Sequence, residues 1–447
     1  MKTDGARKFF GLSIPEGVIN NIVSTYGTYC SIYLLAVVTV PYLSRTLGPA
    51  AWGVLAAVQS FSGCLLLAVE FGFTFSGTRE AARTAGDRKS LREVVSSVQG
   101  AKVVLGILSC AVAFAVELSM PLFRDHPATF WCGIAWAVFQ GSNLLWFFQS
   151  IERMRLIVTL DFLIRLVSVV AIFVFVNGPE DTWVALACQA AASFVSLAIS
   201  LVLASRITGF EVPTRDAVLA ALRGSAKTFI PRNASALFSV GNTFLLGFFA
   251  RPEIVGFYAG ADRICRALTG LLAPASEAVY PRISHVATQS RDRTLRLARL
   301  GALIMCSVGV VMAALMWALA PLLVRVLLGP GYEAAIEPLR ILSLLAPLIA
   351  LRNVLTIHWM LPLDLEKELN TVVLACGALN VILAILVAPH FGGVGMAWVV
   401  VATQATVAVA AWVLLRWMRL DPFSNTRSNG GDAVDCGVHY TAEPVAK

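Results

Sequence analysis

Apolar stretches about as long as a bilayer is thick recur along nearly the whole of this 447-residue chain, and that recurrence limits its fold more than any other feature. They run at about 17 to 41, 51 to 76, 94 to 118, 128 to 150, 157 to 177 and 182 to 204, then at 228 to 250, 254 to 280, 299 to 321, 337 to 360, 369 to 389 and 394 to 416. A helix needs about 20 apolar residues to cross the hydrocarbon, so the pattern predicts an all-α integral membrane protein with twelve transmembrane helices. With only 14% charged residues against 57% hydrophobic, the chain cannot cover a water-facing surface of its size, which excludes large soluble domains. The first stretch is too long for a signal-peptide core and no small-residue cleavage pattern follows it, so it is expected to stay attached as helix one.

The expected organisation is a cytoplasmic tail at 1–16, a six-helix bundle at 17–205, a cytoplasmic linker at 206–227, a second six-helix bundle at 228–416 and a disordered cytoplasmic tail at 417–447. Twenty-four of the 35 lysines and arginines fall in loops and tails on the side of the N-terminus, and four fall on the other side (Arg45, Arg124, Arg251, Arg325). Positive charge marks cytoplasmic loops, so both termini are expected inside. Spread over many short loops without interleaved aromatics, these residues form no nucleic-acid patch despite the net charge of +8. Eight of the nine cysteines sit in apolar runs without CxxC spacing and read as small core hydrophobes.

The halves look like copies. Pro49 to Gly53 matches Pro252 to Gly256 at an offset of 203, and the same offset carries Arg79 onto Arg282. An even number of helices in each copy gives both the same orientation. Parallel repeats of six with a site at their interface are a transporter architecture, so a central cavity between the bundles is expected.

Charged side chains within the spans cost roughly 2.5 to 3.5 kcal/mol each on insertion scales and need compensation. Asp161 with Arg165, and Asp262 with Arg266, are four apart and can pair on one helix face. Arg263 and Arg352 have no acidic residue three or four positions away, and Glu70 has no local basic partner. Arginines facing a wet cavity would suit a phosphate-bearing substrate, and an isolated carboxylate such as Glu70 is a candidate proton or cation site. Arg232 and Arg340 lie near helix ends, while Lys102 is expected to snorkel. His358 has no second ligand nearby, the Asn233 sequon lies in a span, and Gly392 to Gly395 reads as a tight turn rather than a phosphate loop. No nucleophile elbow, Walker sequence or zinc-protease helix is found, so neither an enzyme, a metal nor a cofactor is expected.

Several stretches resemble the polysaccharide transporter family, the O-antigen and exopolysaccharide flippase branch of the multidrug/oligosaccharidyl-lipid/polysaccharide exporter superfamily. They are Tyr42 to Gly53 continuing to Gln59 and Ser60, Glu70-Phe-Gly-Phe with Ser76 to Arg79, Trp146 to Glu152, Gly256 to Arg263, Tyr280 to Arg282, Gly329 to Tyr332, and Leu339 to Ser343. The resemblance implies two six-helix bundles around a cavity that opens alternately to either side of the bacterial inner membrane. The implied substrate is a polyprenyl-pyrophosphate-linked oligosaccharide repeat unit, with the lipid bilayer and other polysaccharide assembly proteins as candidate partners. It would place Arg263, Arg266, Arg352 and Arg232 at the substrate and Glu70 or Asp262 at ion coupling. Glu277 matches no part of the pattern. A cation-coupled multidrug exporter and a peptidoglycan-precursor flippase of the same superfamily are the alternatives. An integral-membrane glycosyltransferase or polymerase would need a long non-cytoplasmic loop, and none is present.

Overall fold

A computed structural model describes residues 6–9, 12–84, 86–209, 211–270, 291–360, 363 and 365–418. Side chains are described from Val38 onward, apart from those of 154–155, 227–228, 230–238, 291–302 and 357–358. A short antiparallel hairpin, β1 (Ala6–Phe9) with β2 (Leu12–Pro15), precedes an otherwise helical chain. The helices are α1 (Glu16–Glu70), α2 (Phe73–Arg83), α3 (Arg88–Ser119), α4 (Pro121–Arg124), α5 (Pro127–Gly141), α6 (Leu145–Ser150) and α7 (Met154–Phe175), followed by α8 (Thr182–Thr208), α9 (Arg215–Gly247), α10 (Pro252–Thr269), α11 (Arg291–Leu327), α12 (Ile336–Ser343), α13 (Leu345–Leu355) and α14 (Glu366–Trp417).

Among the described residues, seven segments are long and apolar enough to cross a membrane. Two of the helices carrying them hold more than one crossing. Helix α1, with 55 residues, is about 80 Å long at 1.5 Å per residue, far beyond a hydrocarbon core of about 30 Å. It breaks at Gly48, whose φ of 73° and ψ of 172° no helix contains, and Pro49 restarts it. Helix α14 breaks likewise at Gly392 (φ 55°, ψ −134°), the first residue of the expected tight turn. The expected span at 128–150 is divided into α5 and α6, and the one at 254–280 is helical as α10 only to Thr269, with 271–290 outside the described residues. Most side chains of the expected span at 228–250 lie outside them too.

Helix boundaries follow local capping. Asp87 accepts from the amides of Lys89 and Ser90 at 3.0 and 3.2 Å and starts α3. The Ser90 hydroxyl and these amides hold the exposed Asp87 carboxyl below its usual range. Thr214 accepts from Ala217 N at 3.3 Å, so α9 begins inside the interval expected as linker. The tail beyond Met418 is outside the described residues.

Helix α8 packs as bilayer helices do, with small residues inward and large apolar ones outward. Along α8, Ala185, Ala190, Ser193, Ser196, Ser200 and Ala204 are buried at helical spacing while Phe194, Leu201 and Val202 are exposed. Lipid tails are as apolar as leucine, so close approach of small residues, rather than exclusion of large ones from the surroundings, favours the contact. Helix α5 packs on α8, α9 on α14, and α11 on α13, while α1 packs on both α9 and α10 and so joins the two halves. The main apolar core follows this junction, with Trp52 and Leu55 of α1, Tyr258 and Ile264 of α10, Leu342 of α12 and Val399 of α14 in one cluster.

Candidate functional site

The internal repeat is the junction between the halves. A Cβ placed on Gly53 would lie 1.8 Å from the carbonyl oxygen of Pro252, and one placed on Gly256 would lie 2.2 Å from that of Pro49. The two contacts are reciprocal at the offset of 203, so α1 and α10 cross backbone to backbone as a two-fold pair. Only glycine permits this approach, because Cβ contacts below about 3 Å do not occur. The crossing lies just past the Gly48 break, on the membrane face bearing the turns near 48 and 250.

One to two helical turns deeper, a cavity of about 210 Å³ lies between the halves. It is lined from α1 by Ala56, Gln59 and Ser60, from α9 by Ser239, Val240 and Thr243, and from α10 by Ala259, Asp262, Arg263 and Arg266. Positions 56 and 259, 59 and 262, and 60 and 263 are again 203 apart. The two-fold holds for the backbone and the alanines, whereas the polar positions differ: Gln59 and Ser60 face one way, Asp262 and Arg263 the other. The second half therefore supplies the charge.

The two cavity arginines are held differently. Arg266 donates Nε to Asp262 Oδ2 at 2.6 Å, and its Nη1 and Nη2 reach the hydroxyl and carbonyl of Ser239, both at 2.8 Å. The pair expected at four-residue spacing forms, and all three guanidinium nitrogens bond within the same half. Asp262 is 7% exposed, and its Oδ1 makes no hydrogen bond among the described residues. Arg263 is held across the junction. Its Nη2 donates to Gln59 Oε1 and its guanidinium lies over the Trp52 ring, 4.3 Å from the centroid. Gln59 Nε2 in turn donates to Gln189 Oε1 on α8 at 3.3 Å.

The other expected site residues lie apart from this cavity. Arg352 does not line it; Nη1 donates to Gln404 on α14 at 2.9 Å and Nη2 to Asn353 at 3.3 Å. Arg232 has a side chain outside the described residues, as do His358 and, at 271–290, Glu277 and Arg282. Glu70 ends α1 and accepts from Gly72 N at 3.0 Å and Thr74 N at 2.7 Å, satisfying amides at the start of α2. Asp161 and Arg165 pair at 2.7 Å as expected, and Ser196 also donates to Asp161, at 2.8 Å. No group of three metal-ligating side chains occurs among the described residues.

Lys102 overturns the expectation that it snorkels. It is 2% exposed, and Nζ donates to the carbonyl of Asn143 at 2.9 Å, where the chain breaks between α5 and α6. Gln99, one turn earlier, donates to the Ser142 carbonyl at 3.1 Å. Asn143 Oδ1 accepts from Leu145 N, the first residue of α6, and its Nδ2 donates to Ser196, so the break is fixed by side chains from α3 and α8 together with that of Asn143. The signal in the sequence was Lys102 lying well inside an apolar run; what could not be read is that an open helix end faces it. Lys102→Met fills a similar volume but leaves the Asn143 carbonyl without its donor, which is expected to cost about 1–3 kcal/mol. A lowered unfolding midpoint in detergent checks this, and an unchanged one would show that the carbonyl is served otherwise.

Comparison with known proteins gives a family and a fold for the chain. A family model described as "Polysaccharide biosynthesis protein" matches residues 18–287. A relative in Escherichia coli (strain K12), named "Putative O-antigen transporter", is 30% identical over 386 residues, covering 86% of this chain and 93% of its own length. One of the same name in Shigella dysenteriae is 25% identical over 396 residues, covering 87% of this chain and 98% of its own. Among solved structures, the lipid II flippase MurJ in an inward closed conformation superposes with a TM-score of 0.67 at 13% identity, over 88% of this chain and 87% of that one. An inward-facing multidrug resistance MATE family transporter of the MOP superfamily gives 0.60 at 14% identity, over 87% and 98%. At such identities the superpositions show the fold alone.

Proposed function

This chain belongs to the polysaccharide transporter family of the MOP superfamily, and from that premise we propose that it flips polyprenyl-pyrophosphate-linked oligosaccharide repeat units across the bacterial inner membrane by alternating access. The observation that carries the reading is the cavity at the junction of the halves, lined by Arg263 and Arg266. A pyrophosphate cannot enter hydrocarbon unaided, and arginine forks replace its lost water with charge-assisted, bidentate hydrogen bonds while the lipid tail stays in the bilayer. Arg263 makes a single hydrogen bond among the described residues, to a neutral amide, and is the arginine available for this task. Arg266 sets the position of Asp262 and the local charge. Arg352, bonded to Gln404 and Asn353, is a second anion contact further along the passage, and Arg232 a weaker candidate.

With both termini in the cytoplasm, the Gly53 and Gly256 crossing seals the periplasmic face, and the cavity is reached from the side on which repeat units are made. Turnover requires a second state of similar energy in which that crossing is open. Asp262, with one carboxylate oxygen unpartnered among the described residues, is the better candidate for ion coupling; both Glu70 oxygens are engaged by backbone amides. The same Asp262 oxygen favours the second reading, a cation-coupled multidrug exporter.

Deletion of the gene in its host, with extraction of lipid-linked oligosaccharides, tests the proposal. Loss of surface polymer with repeat units retained on the carrier at the cytoplasmic leaflet is the expected result. Normal polymer with raised sensitivity to cationic drugs would overturn it in favour of the exporter.

A further inference from the structure

Among the described residues, Arg263 is the one cavity cation bonded across the junction, and its two partners both come from the other half. Its hydrogen bond goes to the neutral Gln59 carbonyl, which is the weaker kind of acceptor: an oxyanion accepts about twice as strongly from a guanidinium and can take two N–H groups at once. Gln59 is itself oriented by Gln189 on α8, so its carbonyl is aimed at Arg263 rather than merely near it. Arg266, by contrast, has all three nitrogens committed to Asp262 and Ser239 within its own half, so occupying it would not disturb the junction.

We infer that Gln59 is a positioning residue that holds the Arg263 guanidinium when the cavity is empty and yields it to a phosphate oxyanion, so that anion binding dissolves a bond between the halves. This rests on the reading of Arg263 as an anion contact. The exchange links two equilibria. An anion on Arg263 replaces the Gln59 bond and, by neutralising the guanidinium, weakens its attraction to the Trp52 ring. Both losses fall on the two helices that form the glycine crossing, one at Trp52 beside Gly53 and the other at Gln59 about two turns away. The substrate thereby favours the state in which that crossing opens, and by reciprocity opening raises affinity for the anion. An empty transporter stays latched, which limits futile cycling and leakage.

The test uses purified full-length protein with inorganic pyrophosphate as probe, comparing wild type with Gln59→Leu, Gln59→Glu and Arg263→Ala by calorimetric titration, and following backbone hydrogen exchange at residues 49–56 and 252–259. Gln59→Leu removes the competing acceptor and is expected to bind pyrophosphate about tenfold more tightly, as the loss of one charge-assisted bond from the empty state predicts. Gln59→Glu, close in size and therefore a control on folding, offers a competing carboxylate and is expected to bind at least about tenfold more weakly. In wild type, pyrophosphate should speed exchange at the crossing. Unchanged or weaker binding by Gln59→Leu, with binding lost in Arg263→Ala, would overturn the latch and leave Arg263 as an anion contact. Equal binding by Arg263→Ala and wild type, or none by either wild type or Gln59→Leu, would overturn the anion reading itself.

Discussion

Gly53→Ala and Gly256→Ala are each expected to abolish most export while leaving the protein in the membrane at near-normal level. The added methyl group meets a carbonyl oxygen, not the flexible end of a side chain: Pro252 O at 1.8 Å for residue 53 and Pro49 O at 2.2 Å for residue 256. The backbone at both places is fixed by a helix start, so the strain is relieved only by moving α1 away from α10. Overpacking of this kind costs about 1–3 kcal/mol, a factor of about 5–150 in the population of the closed state. The rest of each half is untouched, so folding survives where cycling fails. Accumulated lipid-linked repeat units with normal membrane insertion check this result. Because both alanines push the same two helices apart at one crossing, the double variant should be little worse than either single one. Additive losses would show that the two glycines act separately, and export at the normal rate would remove the crossing from the cycle.

Arg263→Ala and Arg266→Ala should fail in opposite ways. Removing Arg266 leaves Asp262, 7% exposed, as a buried carboxylate without its counter-ion, a loss of about 1–3 kcal/mol given that Arg266 is itself partly exposed. Lower protein level and a lower unfolding midpoint are expected. Removing both members of the pair, as Asp262→Ala with Arg266→Ala, should recover much of that stability, since the cost lies in the stranded charge rather than in the lost bond. Arg263→Ala deletes one bond to a neutral amide and one ring contact, so protein level should change little while export is lost. Normal export at normal protein level would sink the assignment of Arg263, and a double variant no more stable than Arg266→Ala would sink the account of the pair.

What the sequence disclosed and what it hid divide along physical lines. Periodicity and charge are local properties, so the helical, membrane-spanning character of the chain, the Asp161–Arg165 and Asp262–Arg266 pairs and the break at Gly392 are readable. The repeat at Pro49 and Pro252 was readable as a pattern, but its meaning needed the third dimension, because nothing in one copy says that it touches the other. Glu70 looked like an isolated charge within a span expected to reach residue 76. Helix α1 in fact stops there, with φ of 47° at Phe71 and 76° at Gly72, and the carboxylate turns to the next helix. Lys102 is hidden for a related reason: snorkelling is the default for a lysine in an apolar run, and the facing Asn143 carbonyl at an open helix end overrides it. The partners of Arg263 lie about 200 positions away on another helix, beyond the reach of any spacing rule.

The paired glycines and the unpaired chemistry beneath them bear on how such a chain could have arisen. If two identical modules once met across an axis, every group near that axis was present twice, and a single substitution changed both sides at once. Fusion into one polypeptide removes that constraint. Gly53 and Gly256 still answer to each other, since neither can grow without striking the opposite strand of carbonyls, whereas position 59 can become glutamine while position 262 becomes aspartate. Inheritance is thus tied at the seam and released in the lumen. Kin of this protein should therefore vary their cargo-facing side chains one copy at a time, and keep the two small residues of the seam together or lose them together.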